Sequence, residues 1–132
     1  MMTEEKCLQT VLVVDDEALV LKYTTSVILG LGYKKVLKAR CAQEARAVLL
    51  AEQVSLIISD VSLPDGDGRQ IVREALEQNS NATAVLITGF SPGDLKLPPD
   101  LAGVVQYLEK PFTADDISSL LAETFERREA LA

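Results

Sequence analysis

Histidine is absent from the 132 residues, and cysteine occurs only twice, at Cys7 and Cys41. Because histidine is absent, the chain cannot use an imidazole base to activate a serine or cysteine nucleophile. Zinc sites with imidazole ligands are excluded for the same reason. The chain also cannot carry a phosphohistidine of its own. Two cysteines are too few for a disulfide framework and have no metal-ligand spacing. Any chemistry must therefore rest on carboxylates, hydroxyls and lysine.

Basic residues and long apolar runs are also scarce. The chain has thirteen lysines and arginines but twenty aspartates and glutamates, which gives a net charge of −7. This balance disfavours direct nucleic-acid binding, which requires a basic face. No apolar run approaches the roughly 18 residues of a membrane span, and the first residues lack a signal-peptide pattern. We therefore expect no membrane insertion and a cytoplasmic location.

Short apolar stretches alternate with segments of helical periodicity along the whole chain. Apolar content is 48 %, enough for a core in a chain the length of one domain. We predict one domain over 1–132, with its core at about 9–126. The predicted strands are 10–14, 35–39, 55–60, 84–88 and 104–108, and the predicted helices are 17–31, 42–52, 68–78 and 113 to about 128. This alternation predicts a flavodoxin-like, doubly wound α/β fold whose five-stranded parallel sheet has the order 2-1-3-4-5.

Two details of this prediction concern helices. In the first helix, the inward stripe is expected to contain Val20, Tyr23, Val27, Ile28 and Leu31. In the last helix, Thr113 is expected to cap the N-terminus.

Residues 89–103 are rich in glycine and proline, so the fourth of the usual five helices is predicted to be short or absent. Pro98 and Pro99 each lack an N–H group and disfavour helical geometry in the residue before. Ser91 is able to cap a single turn, which Pro98 would end. We expect the remainder, up to Gly103, to be a loop or a short 3₁₀ turn, and we expect its order to change when a ligand binds at the carboxyl ends of the strands.

Polar side chains stand where four of the predicted strands end. They are Asp15, Asp16, Asp60, Thr88 and Lys110. Because the carboxyl ends of parallel strands meet at one edge of a sheet, we expect these side chains to lie close together. Each alone is weak evidence, and a threonine or lysine at a strand end is more often structural, but five complementary groups at one edge indicate a site.

Three carboxylates in one pocket require a cation or protons. Two unit charges about 4 Å apart repel by roughly 4 kcal/mol at an effective dielectric constant near 20. The available ligands are hard oxygens, which suit Mg²⁺ or Mn²⁺. Acids, such a cation, a lysine and a hydroxyl together favour phosphoryl chemistry, with Asp60 as the nucleophile.

Four motifs in this order and spacing resemble the receiver domain of two-component response regulators, over roughly residues 9–126. They are Val13-Val-Asp-Asp16, Ile58-Ser-Asp60 with Pro64 and Asp67-Gly68, Leu86-Ile-Thr88, and Tyr107-Leu-Glu-Lys-Pro-Phe112. The resemblance implies that Asp60 accepts a phosphoryl group from a phosphohistidine on a sensor histidine kinase or a histidine phosphotransfer protein. It further implies that Asp16, Asp60 and the Ser62 backbone carbonyl bind Mg²⁺ directly, with Asp15 acting through water.

The resemblance also implies a conformational switch. Lys110 would contact the phosphoryl oxygens, and its bond to Pro111 would be cis. Thr88 would move to meet the phosphoryl group, and Tyr107 would follow inward. A phosphoacceptor of this kind assists its own phosphorylation and dephosphorylation and is not an enzyme with a separate substrate.

Some features depart from the common receiver pattern. Phe90 stands where many receivers have a polar residue, and the residue two after Asp60 is the small Ser62. The Thr88-Gly-Phe90 turn is similar to that of receivers fused to or paired with sensor kinases. The chain is expected to be either a stand-alone receiver or part of a larger sensor kinase or regulator, as a monomer or weak dimer.

Three other functions compete with this interpretation. A phosphatase of the haloacid dehalogenase type requires a second acid two residues after the nucleophile, where this chain has Ser62. A flavodoxin requires a hydroxyl-rich phosphate loop where this chain has Asp15 and Asp16. An interaction module that is not phosphorylated would not need the complete acid set.

Finally, we expect the phosphoryl donor to dock over the first helix, where Ala18 and Leu19 lie on the first turn.

Overall fold

The computed structural model describes residues 9–89, 101 and 104–131, with side chains described up to residue 123. Its helices are α1 (Ala18–Gly30), α2 (Ala42–Ala51), α3 (Gly68–Gln78) and α4 (Ala114–Leu131). Its strands are β1 (Thr10–Val14), β2 (Lys35–Ala39), β3 (Leu56–Asp60), β4 (Ser62–Leu63), β5 (Gly66–Asp67), β6 (Thr83–Thr88) and β7 (Val105–Glu109).

Five of the strands form one parallel sheet in the order β2-β1-β3-β6-β7. Strands β6 and β7 are the fourth and fifth of this sheet, so the predicted flavodoxin-like order 2-1-3-4-5 is confirmed. The central strand β3 is buried along its whole length, whereas the lysine-flanked β2 lies at an edge, where charges discourage further strand pairing.

Helices cover both faces of the sheet, because successive residues of a strand point to opposite sides. On one face, Leu12, Ile57 and Leu86 pack with the buried residues of α2 and α3. On the other, Val13 and Ile58 pack with the buried residues of α1 and α4. We call these the α2/α3 face and the α1/α4 face.

Local sequence signals explain where helix α1 ends and where helix α4 begins. Helix α1 is followed by Gly32, whose positive φ of 109° is accessible to glycine at little cost. At the start of α4, the Asp116 N–H donates to Thr113 Oγ1 at 3.2 Å, and the Thr113 N–H donates to Asp116 Oδ2 at 2.8 Å. This reciprocal pair is a capping box, so the predicted cap at Thr113 is confirmed.

Two details of the sequence prediction were wrong or missing. The buried face of α1 is formed by Leu21, Thr24 and Ile28, whereas Tyr23 is 44 % exposed. Of the predicted stripe, Ile28 is buried and Val27 and Leu31 pack against the core, whereas the prediction for Tyr23 was wrong and Leu21 was missed. The antiparallel β4–β5 hairpin was not predicted, because each of its strands has only two residues.

The prediction for residues 89–103 falls mostly on 90–100 and 102–103, outside the described residues. Leu101, which is described, is buried against the α2/α3 face. Among the described helices, none combines the length and apolar character needed to cross a bilayer.

Candidate functional site

The acidic pair after β1 begins the site. The Asp15 N–H donates to the Ala39 carbonyl at 3.1 Å, which prolongs the β1–β2 pairing by one residue. Asp15 is almost fully buried, at 1 % exposure, and its Oδ1 accepts the Glu17 N–H at 2.9 Å. Asp16 is exposed. The pair therefore offers one fixed, buried carboxylate and one that faces solvent.

Asp60 ends the central strand and is 7 % exposed. Its Oδ1 accepts the Ser62 N–H at 3.1 Å, and its Oδ2 accepts Lys110 Nζ at 2.8 Å. The chain then returns so closely over β3 that a Cβ added at Gly68 would lie 1.9 Å from the Asp60 carbonyl oxygen. Only glycine permits α3 to begin at this position, directly against the acid.

Lys110 connects the carboxylates. Its backbone N–H donates to the Thr88 carbonyl at 2.8 Å, and its peptide bond to Pro111 is cis, as the resemblance implied. Besides Asp60, its Nζ lies 3.1 Å from Glu17 Oε1 and 3.4 Å from Asp15 Oδ2. Burial lowers the pKa of Lys110, but the hydrogen bonds to Asp60 and Glu17 and the nearby acid charges raise it overall. The lysine is therefore held as a cation.

The donor set fits a divalent cation. One carboxylate oxygen from each of Asp15, Asp16 and Asp60 lies within 4.8 Å of the others. Asp15 Oδ2 is buried and accepts no hydrogen bond among the described residues, although the Lys110 ammonium lies 3.4 Å away. Burial raises the pKa of Asp15, as does the charge of Asp60, although the Glu17 N–H and Lys110 oppose this. Three carboxylates that supply hard oxygen ligands, one of them with a buried oxygen that accepts no hydrogen bond, suit Mg²⁺ or Mn²⁺.

Thr88 and Tyr107 lie on neighbouring strands beside this pocket. Thr88 is buried at the end of β6, one residue after Ile87, the partner of Asp60 in the sheet. Tyr107 is half-buried on β7 and pairs with Leu86, so its side chain lies on the same α2/α3 face as Thr88. Burial raises the pKa of Tyr107, and the charge of Arg69 opposes this increase.

The sequence-predicted residues are thus assembled to different degrees. Side-chain contacts join Asp15, Asp60 and Lys110, and Asp16 lies within the same carboxylate cluster. The Ser62 N–H contacts the cluster, whereas Tyr107 lies farther back along β7. Glu17, which contacts Lys110, was not predicted as a site residue; its position directly after the acidic pair was the available signal.

Comparisons with known proteins agree with this arrangement. The family model of the response regulator receiver domain matches residues 11–122. The chain is 30 % identical over 120 residues to the KDP operon transcriptional regulatory protein KdpE of Escherichia coli, covering 91 % of this chain and 52 % of that protein. It is 34 % identical over 107 residues to the transcriptional regulatory protein PdtaR of Mycobacterium tuberculosis, covering 81 % of this chain and 52 % of that protein.

The fold comparison gives the same result. The chemotaxis response regulator CheY4 of Vibrio cholerae superposes with a TM-score of 0.77 at 25 % identity, covering 87 % of this chain and 97 % of that one. Fold and acid pocket together define a receiver of the two-component type. The chain belongs to the response regulator receiver domain family. It spans from about a quarter to about half the length of the first curated relatives that it matches.

Proposed function

We propose that Asp60 accepts a phosphoryl group from a phosphohistidine on a sensor histidine kinase or a histidine phosphotransfer protein. The observation that carries the proposal is the position of the Asp60 carboxylate. It lies 2.8 Å from the Lys110 ammonium and within 4.8 Å of a carboxylate oxygen of each acid of the pair after β1, at the carboxyl edge of the sheet. Ligands bind at this edge in open α/β folds.

The transfer exchanges one bond for another. A carboxylate oxygen of Asp60 forms a bond to phosphorus while the phosphorus–nitrogen bond of the donor breaks. The electron pair of the broken bond stays with the donor imidazole. The product is an aspartyl phosphate, and no oxidant or further reactant is required.

Charge stabilisation at the phosphoryl oxygens would come from two sources. Lys110 is already held as a cation, and its Nζ needs only to exchange a carboxylate contact for a phosphoryl oxygen. Asp16, Asp60 and the Ser62 backbone carbonyl would hold Mg²⁺, or Mn²⁺, directly, and Asp15 would act through water. The bound cation would neutralise carboxylate and phosphoryl charge at the developing bond.

The response would pass through Thr88 and Tyr107. In the proposed switch, the buried Thr88 hydroxyl turns toward the phosphoryl group, and Tyr107 moves inward on the same face of the sheet. The support is their shared face and the half-buried position of Tyr107, which leaves room for a more buried state. The switch would alter contacts with partner proteins.

An open apolar groove beside Lys110 supports docking of the donor over α1. It is lined by Glu17, Leu19, Val20, Tyr23, Lys110, Pro111 and Phe112. Leu19 is 83 % exposed, and the rings of Tyr23 and Phe112 are 6.1 Å apart. Ala18 is also exposed on the first turn. An apolar face next to the acceptor suits a partner helix that carries the histidine.

Further parts of the proposal follow from a signalling role. The protein would be a phosphoacceptor without a separate substrate, located in the cytoplasm, with a single domain whose core spans about 9–126. It would act as a monomer or weak dimer, without direct contact to nucleic acid.

Beryllofluoride, a mimic of the phosphoryl group, tests the proposal with purified protein. We expect the amide resonances of residues near Asp60, Thr88 and Tyr107 to shift when beryllofluoride and Mg²⁺ are added together. Neither component alone should produce the full shift. Asp60→Asn should remove it. A full response in Asp60→Asn, or one that does not depend on the cation, would contradict the assignment.

A further inference from the structure

The β4–β5 hairpin, directly after Asp60, is attached to a helix from another part of the chain. The side chain of Asp65, at the tip of the hairpin, accepts the Ala42 N–H at 2.6 Å and the Gln43 N–H at 3.0 Å. These are the first two residues of α2. Cys41, at the N-cap position of α2, makes no side-chain capping bond. The first turn of α2 is therefore capped from outside, by a residue more than twenty positions later.

These bonds are charge-assisted. The pKa of the Asp65 carboxyl is lowered, most by the hydrogen bond from the Ala42 N–H and next by the one from the Gln43 N–H. A carboxylate at a helix N-terminus also interacts favourably with the helix dipole. Close packing accompanies the bonds, since a Cβ added at Gly66 would lie 3.1 Å from Ala42 Cβ. Hairpin and helix thus touch through both polar and apolar atoms.

The hairpin carries part of the acid site. Its first strand begins at Ser62, whose N–H donates to Asp60 Oδ1 and whose carbonyl is a proposed ligand of the cation. Outside the β4–β5 pairing itself, two backbone bonds hold the ends of the hairpin: the Val61 N–H donates to the Ile87 carbonyl, and the Gly68 N–H donates to the Val61 carbonyl. Leu63 packs in the α2/α3 core. Asp65 adds hydrogen bonds from the exposed tip of the hairpin to the first turn of α2.

We propose that Asp65 is a positioning residue for the cation site, because it holds the β4–β5 hairpin against α2 and so fixes Ser62 relative to Asp60. The inference rests on the proposed function, in which Ser62 and Asp60 contribute ligands to one divalent cation. Asp65 itself does not touch the cation or the phosphoryl group. Residues that orient metal ligands typically change metal affinity by about 10–100-fold when they are replaced.

Capping and positioning are separated by a pair of substitutions. Asp65→Ala removes both the cap on α2 and the tether to the hairpin. Cys41→Ser adds a local cap, since Cys41 has the extended backbone of an N-cap residue and serine is among the preferred caps. The double variant Cys41→Ser/Asp65→Ala therefore restores a cap on α2 while leaving the hairpin unattached.

The measurements are the Mg²⁺ dissociation constant by calorimetry and the midpoint of thermal unfolding in EDTA. We expect Asp65→Ala to weaken Mg²⁺ binding about tenfold, at the lower end of that range because Asp65 is exposed, and to lower the midpoint. The double variant should recover most of the midpoint but keep the weakened affinity. Cys41→Ser alone should bind Mg²⁺ as the unmodified chain does.

Three outcomes would overturn the inference, and the third would also overturn the proposed ligand set. If the double variant recovers affinity together with stability, Asp65 acts only as a helix cap. If Asp65→Ala binds Mg²⁺ with the affinity of the unmodified chain, the contact of Asp65 with α2 is not needed to position Ser62. Asp16→Ala is the control for the site itself and should lose most of its affinity. If it binds as tightly as the unmodified chain, the proposed ligand set is wrong and the inference about Asp65 falls with it.

Discussion

The α2/α3 face and the α1/α4 face of the sheet meet the acid pocket in different ways. On the α2/α3 side, a polar side chain connects separate segments beside the pocket: Asp65, at the tip of the β4–β5 hairpin, accepts the Ala42 N–H at 2.6 Å and caps α2. On the α1/α4 side, the pocket opens into the apolar groove that contains Leu19.

This difference indicates a division of tasks around one carboxylate. The connected side fixes the backbone that presents Asp60, because Gly68 and the hairpin are packed against it. The open side leaves apolar atoms accessible next to Lys110, where an incoming donor needs space. We therefore expect substitutions on the α2/α3 side to change stability and cation affinity, and those on the α1/α4 side to change partner recognition.

The largest effect is expected at Gly68. In Gly68→Ala the new Cβ would collide with the Asp60 carbonyl oxygen, so β3 or α3 must shift, which should lower the free energy of unfolding by about 3 kcal/mol. Gly30→Ala, at the end of α1, meets no atom within 4 Å and should change it by less than about 1 kcal/mol. Urea denaturation measures both. Similar losses in the two variants would contradict the close contact described at Asp60.

A second comparison uses the two leucines that are most exposed among the described side chains, one on each side. Leu19 on α1 is 83 % exposed and Leu50 on α2 is 88 % exposed. If the donor docks over α1, Leu19→Asp should slow phosphoryl transfer from the kinase by about tenfold, equivalent to roughly 1.4 kcal/mol. Leu50→Asp should leave this rate unchanged.

Phosphorylation by acetyl phosphate controls for folding in the same experiment, because this small donor needs no docking surface. We expect both leucine variants to react with it at the unmodified rate. If Leu19→Asp slows both donors equally, the cause is misfolding. If Leu50→Asp slows the kinase more than Leu19→Asp does, the docking face has been assigned to the wrong side.

The smallest effects are expected at two carboxyl groups whose pKa values are shifted in opposite directions in the folded protein. Burial raises the pKa of Asp15, so its charged form is disfavoured in the folded state, and Asp15→Asn should raise the unfolding midpoint in EDTA by about 3 °C. The hydrogen bonds that Asp65 accepts from backbone N–H groups lower its pKa, so its charged form is favoured in the folded state, and Asp65→Asn should lower the midpoint. Thermal unfolding followed by circular dichroism is the measurement, and changes of the same sign would contradict this contrast.

The pH dependence of the Asp65 effect has a defined direction. A carboxyl whose pKa is lower in the folded state stabilises the protein above the unfolded value of 3.8 and loses that contribution as the pH falls through the folded value. The difference in midpoint between the unmodified chain and Asp65→Asn should therefore be largest near neutral pH and shrink below 3.8. A difference that grows on acidification would be inconsistent with a charge-assisted cap.

Much of the fold follows from local sequence signals. The bounds of Thr10–Val14, Lys35–Ala39 and Gly68–Gln78 agree with the sequence prediction, because apolar runs and turn residues mark these ends. The meeting of Asp15, Asp60 and Lys110 followed from parallel strand direction alone. These are consequences of periodicity and topology, which a sequence carries directly.

Contacts between distant segments were not predictable in the same way. The bonds from Asp65 to α2 depend on how a two-residue hairpin folds back over a helix, and no periodicity marks this. The burial of Leu21 in place of Tyr23 depends on the rotation of α1 against α4, which is set by packing. Glu17 reaches Lys110 across 93 positions of the chain.

The most direct test of the account is the site of phosphorylation. The unmodified chain is incubated with acetyl phosphate and Mg²⁺, and the modified peptide is identified by mass spectrometry. We expect a single modified residue, Asp60, no label when EDTA replaces Mg²⁺, and loss of the label in Asp60→Asn. Label at the unmodified level in Asp60→Asn, or on Asp15 or Asp16 of the unmodified chain, would contradict the assignment of Asp60 as the phosphoacceptor.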